Sequence, residues 1–447
     1  MSKPTRREFI KHGAGAIGAG AMLPVLNRGA SVVRELANNQ IGDGRILVIV
    51  ELEGGIDGLG VIVPLQQYDV YASLRPMVGV PKEQVLSLFG STTMGMTPEL
   101  ADLKPIADAG KMAVIQAVGY PQPNLSHFTS RDIWYSGVPD PNLLTAQRNG
   151  WIGRHSALFG NRANSLDTVS AGRSVNLTLY ASGATAAGID GNNLGNYQFL
   201  PDPATSDAAT IADRNNQLLS FRTMDESAAS APYIDLVEKV ELDALNSADQ
   251  VQQANNSYLN RTGAHAGHTH VAYPTTTRTG GFARGLQLIA ALATAAPTHG
   301  TRVYYASTGG FDTHAFQANY RVTPTEGDHP ALVTGVARSL RAFYDDLIAH
   351  NLADRVVILI WSEFGRRVAQ NDSNGTDHGE ANNVILLGGR VKGGVYGADP
   401  SLTDLNMGNL KYKIDYRQVY ATLIRDWLGG DPAPVLNGNF NNLGFIA

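Results

Sequence analysis

Acidic and histidine side chains recur beside glycines in four segments of this chain. The segments are Glu53-Gly54-Gly55-Ile56-Asp57, Gly309-Gly310-Phe311-Asp312-Thr313-His314, Ser362-Glu363-Phe364-Gly365-Arg366 and Gly375-Thr376-Asp377-His378-Gly379. Carboxylates and imidazoles together are a ligand set for zinc, manganese, magnesium or calcium. Each segment alone is equally compatible with an ordinary helix cap or turn. Taken together, the four segments predict a site for a divalent metal.

A serine and a histidine follow a pair of prolines in Pro121-Gln122-Pro123-Asn124-Leu125-Ser126-His127-Phe128. Ser126 stands where a helix is expected to begin, so the simplest interpretation is an N-cap. The same position suits a nucleophile or a bound ester oxygen, because free amides at a helix N-terminus stabilise an anion. The sequence alone leaves both interpretations open.

Short apolar runs predict the strands that must position these residues. They are Ile46–Val50, Met112–Ile115, Val303–Tyr305, Val356–Ile360 and Val384–Leu387. Runs without polar alternation are typical of strands buried on both faces of a sheet. Helical spacing at 282–295, 332–347 and 416–428 lies between or after them. The pattern predicts an α/β fold, a mostly parallel sheet sandwiched by helices.

Ligands of open α/β sheets bind beyond the carboxyl ends of the strands. We therefore expect Asp57, Asp312 and Glu363, which follow three of the predicted strands, to face one cleft.

The middle of the chain, at about 183–280, is rich in Asn, Ala, Asp, Ser and Thr. We predict a partly helical insertion or cap there, with a helix over 233–256. This region also contains His265, His268 and His270, a spacing that could bind a metal. Because no acidic residue accompanies them, a flexible polar loop is the favoured interpretation.

The N-terminus carries Arg6-Arg7 followed by a weakly apolar, glycine-rich stretch up to Leu26. Paired arginines before a short apolar region are typical of a twin-arginine signal. We predict a signal peptide over 1–30 and an exported domain over 31–447, with the twin-arginine translocase as a transient partner. The expected location is the periplasm or the extracellular space.

Composition narrows the classes of protein further. The 447 residues include no cysteine, so disulfides, thiolate ligands and a cysteine nucleophile are excluded. The net charge of −5 gives no indication of a nucleic-acid partner. No second apolar run approaches membrane-spanning length, and no stable membrane span is expected.

The order of these motifs resembles the domain of unknown function 1501 family. The resemblance rests on Gly-Gly-x-Asp, Asn-x-Ser-His-Phe, Gly-Gly-x-Asp-x-His, Ser-Glu-Phe-Gly-Arg and Gly-x-Asp-His-Gly, and on the later stretches 387–397 and 415–421. That family is grouped with the alkaline phosphatase and sulfatase superfamily. The resemblance implies an alkaline-phosphatase-like fold with metals beside a Ser or Thr nucleophile.

The resemblance also implies roles for individual residues. Ser126 or His127 corresponds to the nucleophile position. For the hydrolase hypothesis, Arg131 or Arg366 is the candidate to hold the substrate anion, and a surface ion pair is the alternative for either arginine. The implied metal ligands are Asp57, Asp312, His314, Glu363, Asp377 and His378.

Departures from the superfamily pattern leave two functions open. Phe364 stands where many members have a histidine ligand, and the Asp312-x-His314 spacing is shorter than usual. The retained acidic and histidine positions favour an exported, metal-dependent hydrolase of phosphate or sulfate esters, acting on a small-molecule or saccharide substrate. The missing histidine favours the alternative, a non-catalytic exported binding or assembly protein that keeps the fold.

Overall fold

The computed structural model describes residues 44–140, 149–161, 164–191, 207–210, 212, 247–269, 271–275, 278–321 and 327–447. The predicted signal peptide over 1–30 lies outside the described residues, as do His270 and the 233–246 part of the predicted helix.

Nine strands of the described chain form the central sheet. They are β1 (Ile46–Leu52), β2 (Met112–Gly119), β3 (Thr168–Ser170), β4 (Ala186–Gly188), β5 (Val303–Thr308), β6 (Val356–Trp361), β7 (Asn382–Gly388), β8 (Gly394–Tyr396) and β9 (Ile414–Asp415). Their order is β8-β2-β7-β6-β1-β5-β3-β4, and β9 also pairs with β2. The five predicted strands are all present, each longer than its apolar run.

Strand β7 runs against its neighbours. It pairs antiparallel with β2 and with β6, whereas the other pairings of the sheet are parallel. The residues that precede β7 therefore lie at the same edge as the residues that follow β1, β2, β5 and β6. This reversal brings the Asp377-His378 segment to the carboxyl edge of the parallel strands.

Helices of eight or more residues cover the sheet in the described chain. They include α1 (His127–Ser136), α2 (Trp151–Phe159), α3 (Gly280–His299), α4 (Asp328–Ala349) and α5 (Tyr416–Leu423), which continues into a π-helical turn at Ile424–Leu428. The three predicted helical segments correspond to α3, α4 and α5.

The two faces of β1 show why the fold is a sandwich. All seven residues of this strand are buried, and successive side chains point to opposite faces. Val48 and Val50 belong to the core that includes residues of α3 and α4. Leu47 and Ile49 belong to the core that includes residues of α1, α2 and α5. A mostly parallel sheet sandwiched by helices is therefore confirmed.

Shorter elements complete the described chain. The short helices are Gly58–Val61, Tyr68–Leu74, Lys104–Asp108 and Pro432–Leu436, with 3-10 turns at Leu65–Gln67, Lys82–Gln84, Pro98–Leu103, Leu177–Leu179, Gly263–His265 and Ala353–Arg355. Two small sheets are formed by Ile62–Pro64, Leu86–Ser87 and Met94–Met96, and by Leu405–Asn406 and Asn409–Leu410.

Described parts of the 183–280 region pack onto the main core. Residues 247–260 are helical, and Val251 and Tyr258 lie in the same core as α4. His265 is buried, with its Nδ1 3.2 Å from Nε2 of His350, at the end of α4. The prediction of a flexible polar loop was wrong for His265, because this side chain is buried against His350. The contact joins residues 85 positions apart, so no local sequence pattern indicates it. Within the described residues, no helix is both long and apolar enough to cross a membrane.

Candidate metal centre

Three loops at the carboxyl edge of the sheet bring three histidines around Asp312. His127 is the first residue of α1, after β2; Asp312 and His314 follow β5. His378 comes shortly before the reversed strand β7 and forms a β-bridge with Arg366. Side chains far apart in sequence thus meet because their strands end at one edge.

The ring nitrogens and the carboxylate lie at ligand-to-ligand distances. Oδ1 of Asp312 is 3.1 Å from Nε2 of both His314 and His378. Its Oδ2 is 3.4 Å from Nε2 of His127. The two Nε2 atoms of His314 and His378 are 2.9 Å apart. A tetrahedral metal with bonds of about 2.0–2.1 Å separates its ligands by about 3.3 Å, close to these values.

Each histidine turns its other nitrogen towards an acceptor on the protein. Nδ1 of His127 is 2.8 Å from Oε1 of Glu363, and Nδ1 of His314 is 3.3 Å from Oδ1 of Asp377. Nδ1 of His378 is 2.9 Å from the carbonyl oxygen of Leu125. Metal-binding histidines characteristically donate their second N–H to a carboxylate or a carbonyl in this way.

These contacts are compatible with a neutral tautomer that has its proton on Nδ1. In that tautomer the Nε2 lone pairs of His314 and His378 face each other, with a carboxylate oxygen beside both. Nε2 of His127 is a buried atom without a hydrogen-bond partner. Inward-facing acceptors are the donor set of a cation site, and the ligand atoms of His127, Asp312 and His378 all lie within 4.8 Å of one another, so these three residues fit a divalent metal. Nε2 of His314 lies beside Asp312 and His378 and could add a further ligand.

Buried Arg366 ties the site's loops together. Its guanidinium donates to the carbonyl oxygens of Gly55 at 2.6 Å and Thr376 at 2.8 Å, and to Oδ1 of Asp312 at 2.8 Å. It also donates to the carbonyl oxygens of Gly54 and Phe311. The predicted role of Arg366 in holding a substrate anion is wrong, because its donors are already directed to the protein.

The glycines after β1 are required by this close packing. Gly54 has φ +117°, and a Cβ atom there would lie 2.4 Å from the backbone nitrogen of Asp312. A Cβ atom at Gly55, φ +70°, would lie 2.3 Å from the ring of Phe364. Phe364 in turn packs its ring 4.6 Å from that of His378 and 4.9 Å from that of His127. Phe364, which stands in place of the expected histidine ligand, therefore packs against two histidines of the candidate site and restricts their ring positions.

The charges of the site follow from burial and these contacts. Burial favours the neutral form of Asp312, but the hydrogen bond from Arg366 overcomes it and lowers the pKa to about 2. The hydrogen bond to Glu363 raises the pKa of His127 above its ordinary value. Burial also opposes charge on Glu363, yet the contact with His127 holds the pKa of this carboxyl below its ordinary value. The site thus carries anionic carboxylates next to imidazoles.

Glu363 and Asp377 support the histidines from outside the ligand group. Glu363 is fully buried, accepts the amide of Gly54 at 2.9 Å and contacts His127. Asp377 contacts His314 and accepts from Asn371 at 3.1 Å. Their predicted role as direct ligands is corrected to an orienting one. His127, predicted as an alternative to Ser126 for the nucleophile position, instead lies in the candidate ligand group.

Asp57 lies in a separate buried network. Its Oδ2 accepts from Nη1 of Arg75 at 2.5 Å and from Nε2 of Gln317 at 2.6 Å. Burial disfavours its charge, and the guanidinium of Arg75 more than compensates, so the pKa of Asp57 is lowered. The predicted ligand role is wrong because Arg75, 18 residues further along the chain, neutralises this carboxylate.

Ser126 and Arg131 complete the predicted set. Ser126 is exposed at the N-terminus of α1 and makes no side-chain capping bond, next to His127. Arg131 pairs with Glu51 at 2.8 Å and with Glu53 at 3.2 Å, so its predicted role as an anion holder is also wrong. Ser126 is therefore solvent-accessible next to a candidate ligand in the chain, whereas Arg131 is engaged by two carboxylates.

A family model described as "Protein of unknown function (DUF1501)" matches residues 116–435. The chain belongs to the DUF1501 family. The matched segment includes all four groups of the candidate metal centre. The family assigned from the motifs is thereby confirmed, and no curated protein matches this DUF1501 protein.

Solved structures resemble this DUF1501 protein only loosely. The PsFucS1 sulfatase from Pseudoalteromonas sp. aligns with a TM-score of 0.40 and 10% identity, over 96% of this chain and 79% of that one. The lipoteichoic acid synthase LtaP from Listeria monocytogenes aligns with a TM-score of 0.32 and 9% identity, over 81% of this chain and 73% of that one.

Proposed function

We propose that this protein is an exported metal-dependent hydrolase of phosphate or sulfate esters, with an alkaline-phosphatase-like fold. The observation that carries the proposal is the convergence of three Nε2 atoms on Asp312, each with its Nδ1 held by an acceptor. The site is open, since the side chains of Asp312 and His314 are 47% and 45% exposed. A ligand from solvent can therefore reach the centre.

Among zinc, manganese, magnesium and calcium, the donor set favours zinc. Imidazole nitrogens suit zinc and related transition metals, whereas calcium and magnesium prefer oxygen ligands. When bound, such an ion would polarise an ester oxygen and lower the pKa of a coordinated water or hydroxyl. His127, Asp312, His314 and His378 would hold it.

The chain's own residues supply orientation and a position for the nucleophile. Glu363 fixes the ring of His127, and Oγ of Ser130 in α1 donates to the carbonyl of Glu363 at 2.6 Å, which locks the helix to the loop. Ser126 then stands at a helix N-terminus whose free amides favour an anion. We assign Ser126 the role of nucleophile.

Two measurements test the proposal together. His127→Ala and Asp312→Ala should each lower zinc content and abolish hydrolysis of 4-nitrophenyl phosphate and 4-nitrophenyl sulfate. Ser126→Ala should retain zinc and lose turnover. Glu83→Ala, on the exposed 3-10 turn Lys82–Gln84, is the control and should change neither quantity.

A second candidate function is a non-catalytic exported binding or assembly protein. The observation in its favour is that Arg131 and Arg366 are both committed to protein acceptors. A wild-type protein that binds stoichiometric zinc but hydrolyses neither ester would establish this function and contradict the hydrolase.

Export by the twin-arginine route belongs to the same proposal. Replacing Arg6 and Arg7 by lysine should leave the precursor in the cytoplasm, because the translocase reads the arginine pair as an address. Delivery of the double variant at the wild-type level would contradict this route.

A further inference from the structure

Two exposed phenylalanines lie close along the chain to residues of the candidate metal centre. Phe128 is 82% exposed and directly follows His127; Phe316 is 78% exposed and lies two residues after His314. Among the described residues, these are the phenylalanines that stand out as exposed, and both adjoin metal-binding positions. Single exposed apolar side chains are normal, but two beside one site are informative.

Phe316 is held in a conformation that bulky residues seldom adopt. Its φ angle is +50°, in the left-handed region. Its amide donates to the carbonyl of Ser373 at 3.1 Å, and its carbonyl accepts from the amide of Asp328 at 3.3 Å. The backbone is therefore clamped on both sides while the ring projects towards solvent. Such conformations cluster at ligand-binding sites, where the surrounding structure maintains them.

The surface around the two rings is polar and includes the carboxylates of Asp372, which is exposed, and Asp328, which is paired with Arg278. Ser126 and Ser373 are exposed, and Asn124, Asn371 and Asn374 are half-buried. Two separate rings in such a surface differ from the contiguous apolar patch that a lipid chain or a protein partner requires. They suit a ligand that combines apolar C–H faces with hydroxyl groups, which is the chemistry of a pyranose ring.

We propose that Phe128 and Phe316 form a platform for the saccharide part of an ester whose phosphate or sulfate group reaches the metal centre. The inference rests on the proposed function for the ester group, but the platform itself concerns binding. The negative face of each aromatic ring attracts the weakly positive C–H groups of the sugar. The hydroxyl and amide groups nearby offer hydrogen bonds to its hydroxyls.

Calorimetry on the zinc-loaded full chain separates sugar recognition from head-group recognition. Glucose 6-sulfate and glucose 6-phosphate are compared with propyl sulfate and propyl phosphate, which carry the same head groups without a ring. The wild type should bind the sugar esters more tightly than the propyl esters. Phe128→Ala and Phe316→Ala should each weaken sugar-ester binding by about three- to tenfold and leave propyl-ester binding unchanged.

Ile348→Ala is the matched control. Ile348 is 53% exposed on α4, 20 residues beyond Asp328, whose amide bonds the Phe316 carbonyl, and this corresponds to about 30 Å along the helix axis. This variant should bind all four esters as the wild type does. Because all three positions are exposed, zinc content and thermal midpoint should also be unchanged.

The outcomes separate this inference from the proposed function. Phe-dependent sugar binding without hydrolysis of any ester would support the platform and contradict the hydrolase. Hydrolysis of all four esters with equal KM in wild type and Phe variants would contradict the platform and support the hydrolase. An equal loss of binding affinity for propyl and sugar esters in the Phe variants would also overturn the platform. So would binding to anionic phospholipid vesicles that depends on the two phenylalanines.

Discussion

Each histidine of the candidate metal centre turns one ring nitrogen to an acceptor on the protein and the other towards Asp312. The carboxylate that orients His127 is Glu363, whose own oxygens are held by Ser362 at 3.0 Å and by the amide of Gly54 at 2.9 Å. Such outer contacts fix ring orientation and raise ligand basicity. The affinity for metal should therefore depend on residues that do not touch it.

Replacing Glu363 by glutamine tests this dependence. The glutamine side chain can still accept the Nδ1–H of His127 but carries no charge, so we expect zinc affinity to fall by about 10- to 100-fold. Competition with a chromogenic chelator measures the change. Glu83→Gln, an exposed carboxylate on a 3-10 turn, is the control. If zinc affinity were unchanged in Glu363→Gln, the charge of Glu363 would have no part in supporting metal binding by His127.

The buried pair of Asp57 and Arg75 has a structural role. Asp57→Asn leaves the guanidinium of Arg75 without a counter-charge, and the free energy of unfolding should fall by about 3–5 kcal/mol. Urea denaturation measures this loss. The double variant Asp57→Asn/Arg75→Met should be more stable than Asp57→Asn, because it removes the unpaired charge.

The Asp57–Arg75 pair also makes the free energy of unfolding depend on pH, with a defined sign. The pKa of Asp57 is lowered in the folded protein, so its contribution is fully present above the unfolded-state pKa of about 4. It is lost as the pH falls below that value, because the unfolded chain takes up the proton first. The stability difference between wild type and Asp57→Asn should therefore shrink in acid. A difference that stays constant down to about pH 2 would contradict the ion pair.

At the scale of the elements, the turn after β1 determines how closely the loops approach. A Cβ atom at Gly54 would lie 2.4 Å from the backbone nitrogen of Asp312, so Gly54→Ala should displace the Asp312 loop. We expect lower zinc occupancy and a lower thermal midpoint, measured by elemental analysis and calorimetry.

Gly90→Ala controls for backbone strain alone. Gly90 also has a positive φ, +68°, but a Cβ atom there meets nothing within 4 Å. It should lower the thermal midpoint slightly and leave zinc occupancy unchanged. If Gly54→Ala and Gly90→Ala behaved alike, the clash with Asp312 would have no part in metal binding.

At the scale of the whole molecule, the proposed metal joins loops from three distant parts of the sequence. An ion that binds only the folded chain stabilises it by about 2.7 kcal/mol when its concentration is 100-fold above its dissociation constant. Removal of metal by EDTA should therefore lower the thermal midpoint by a few degrees, and added zinc should restore it. In Asp312→Ala neither treatment should change the midpoint. A wild type that responds to neither would contradict the metal site.

The sequence by itself determined the layers of the fold and most of the chemistry at the sheet edge. The continuous apolar runs of β1, β5 and β6 are buried on both faces in the structure, as their composition requires. Asp312, His314 and His378, which the structure brings together, were singled out as candidates from their motifs because glycines and ligand-type residues follow strands at predictable positions. The family was identified from the order of the same motifs.

Only the tertiary structure decided which of these residues meet. Strand β7 is antiparallel, which periodicity does not reveal, and its direction is what places His378 beside Asp312. Asp57 has the same local context as Asp312, but Arg75 reaches it through the core and removes it from the site. From the sequence, Arg366 and Arg131 are candidates for binding an anion. In the structure, Arg366 donates to backbone carbonyls and Arg131 pairs with a carboxylate. Local sequence specifies residue type and strand burial, whereas the partners of a charged side chain depend on long-range packing, and burial makes those partners decisive.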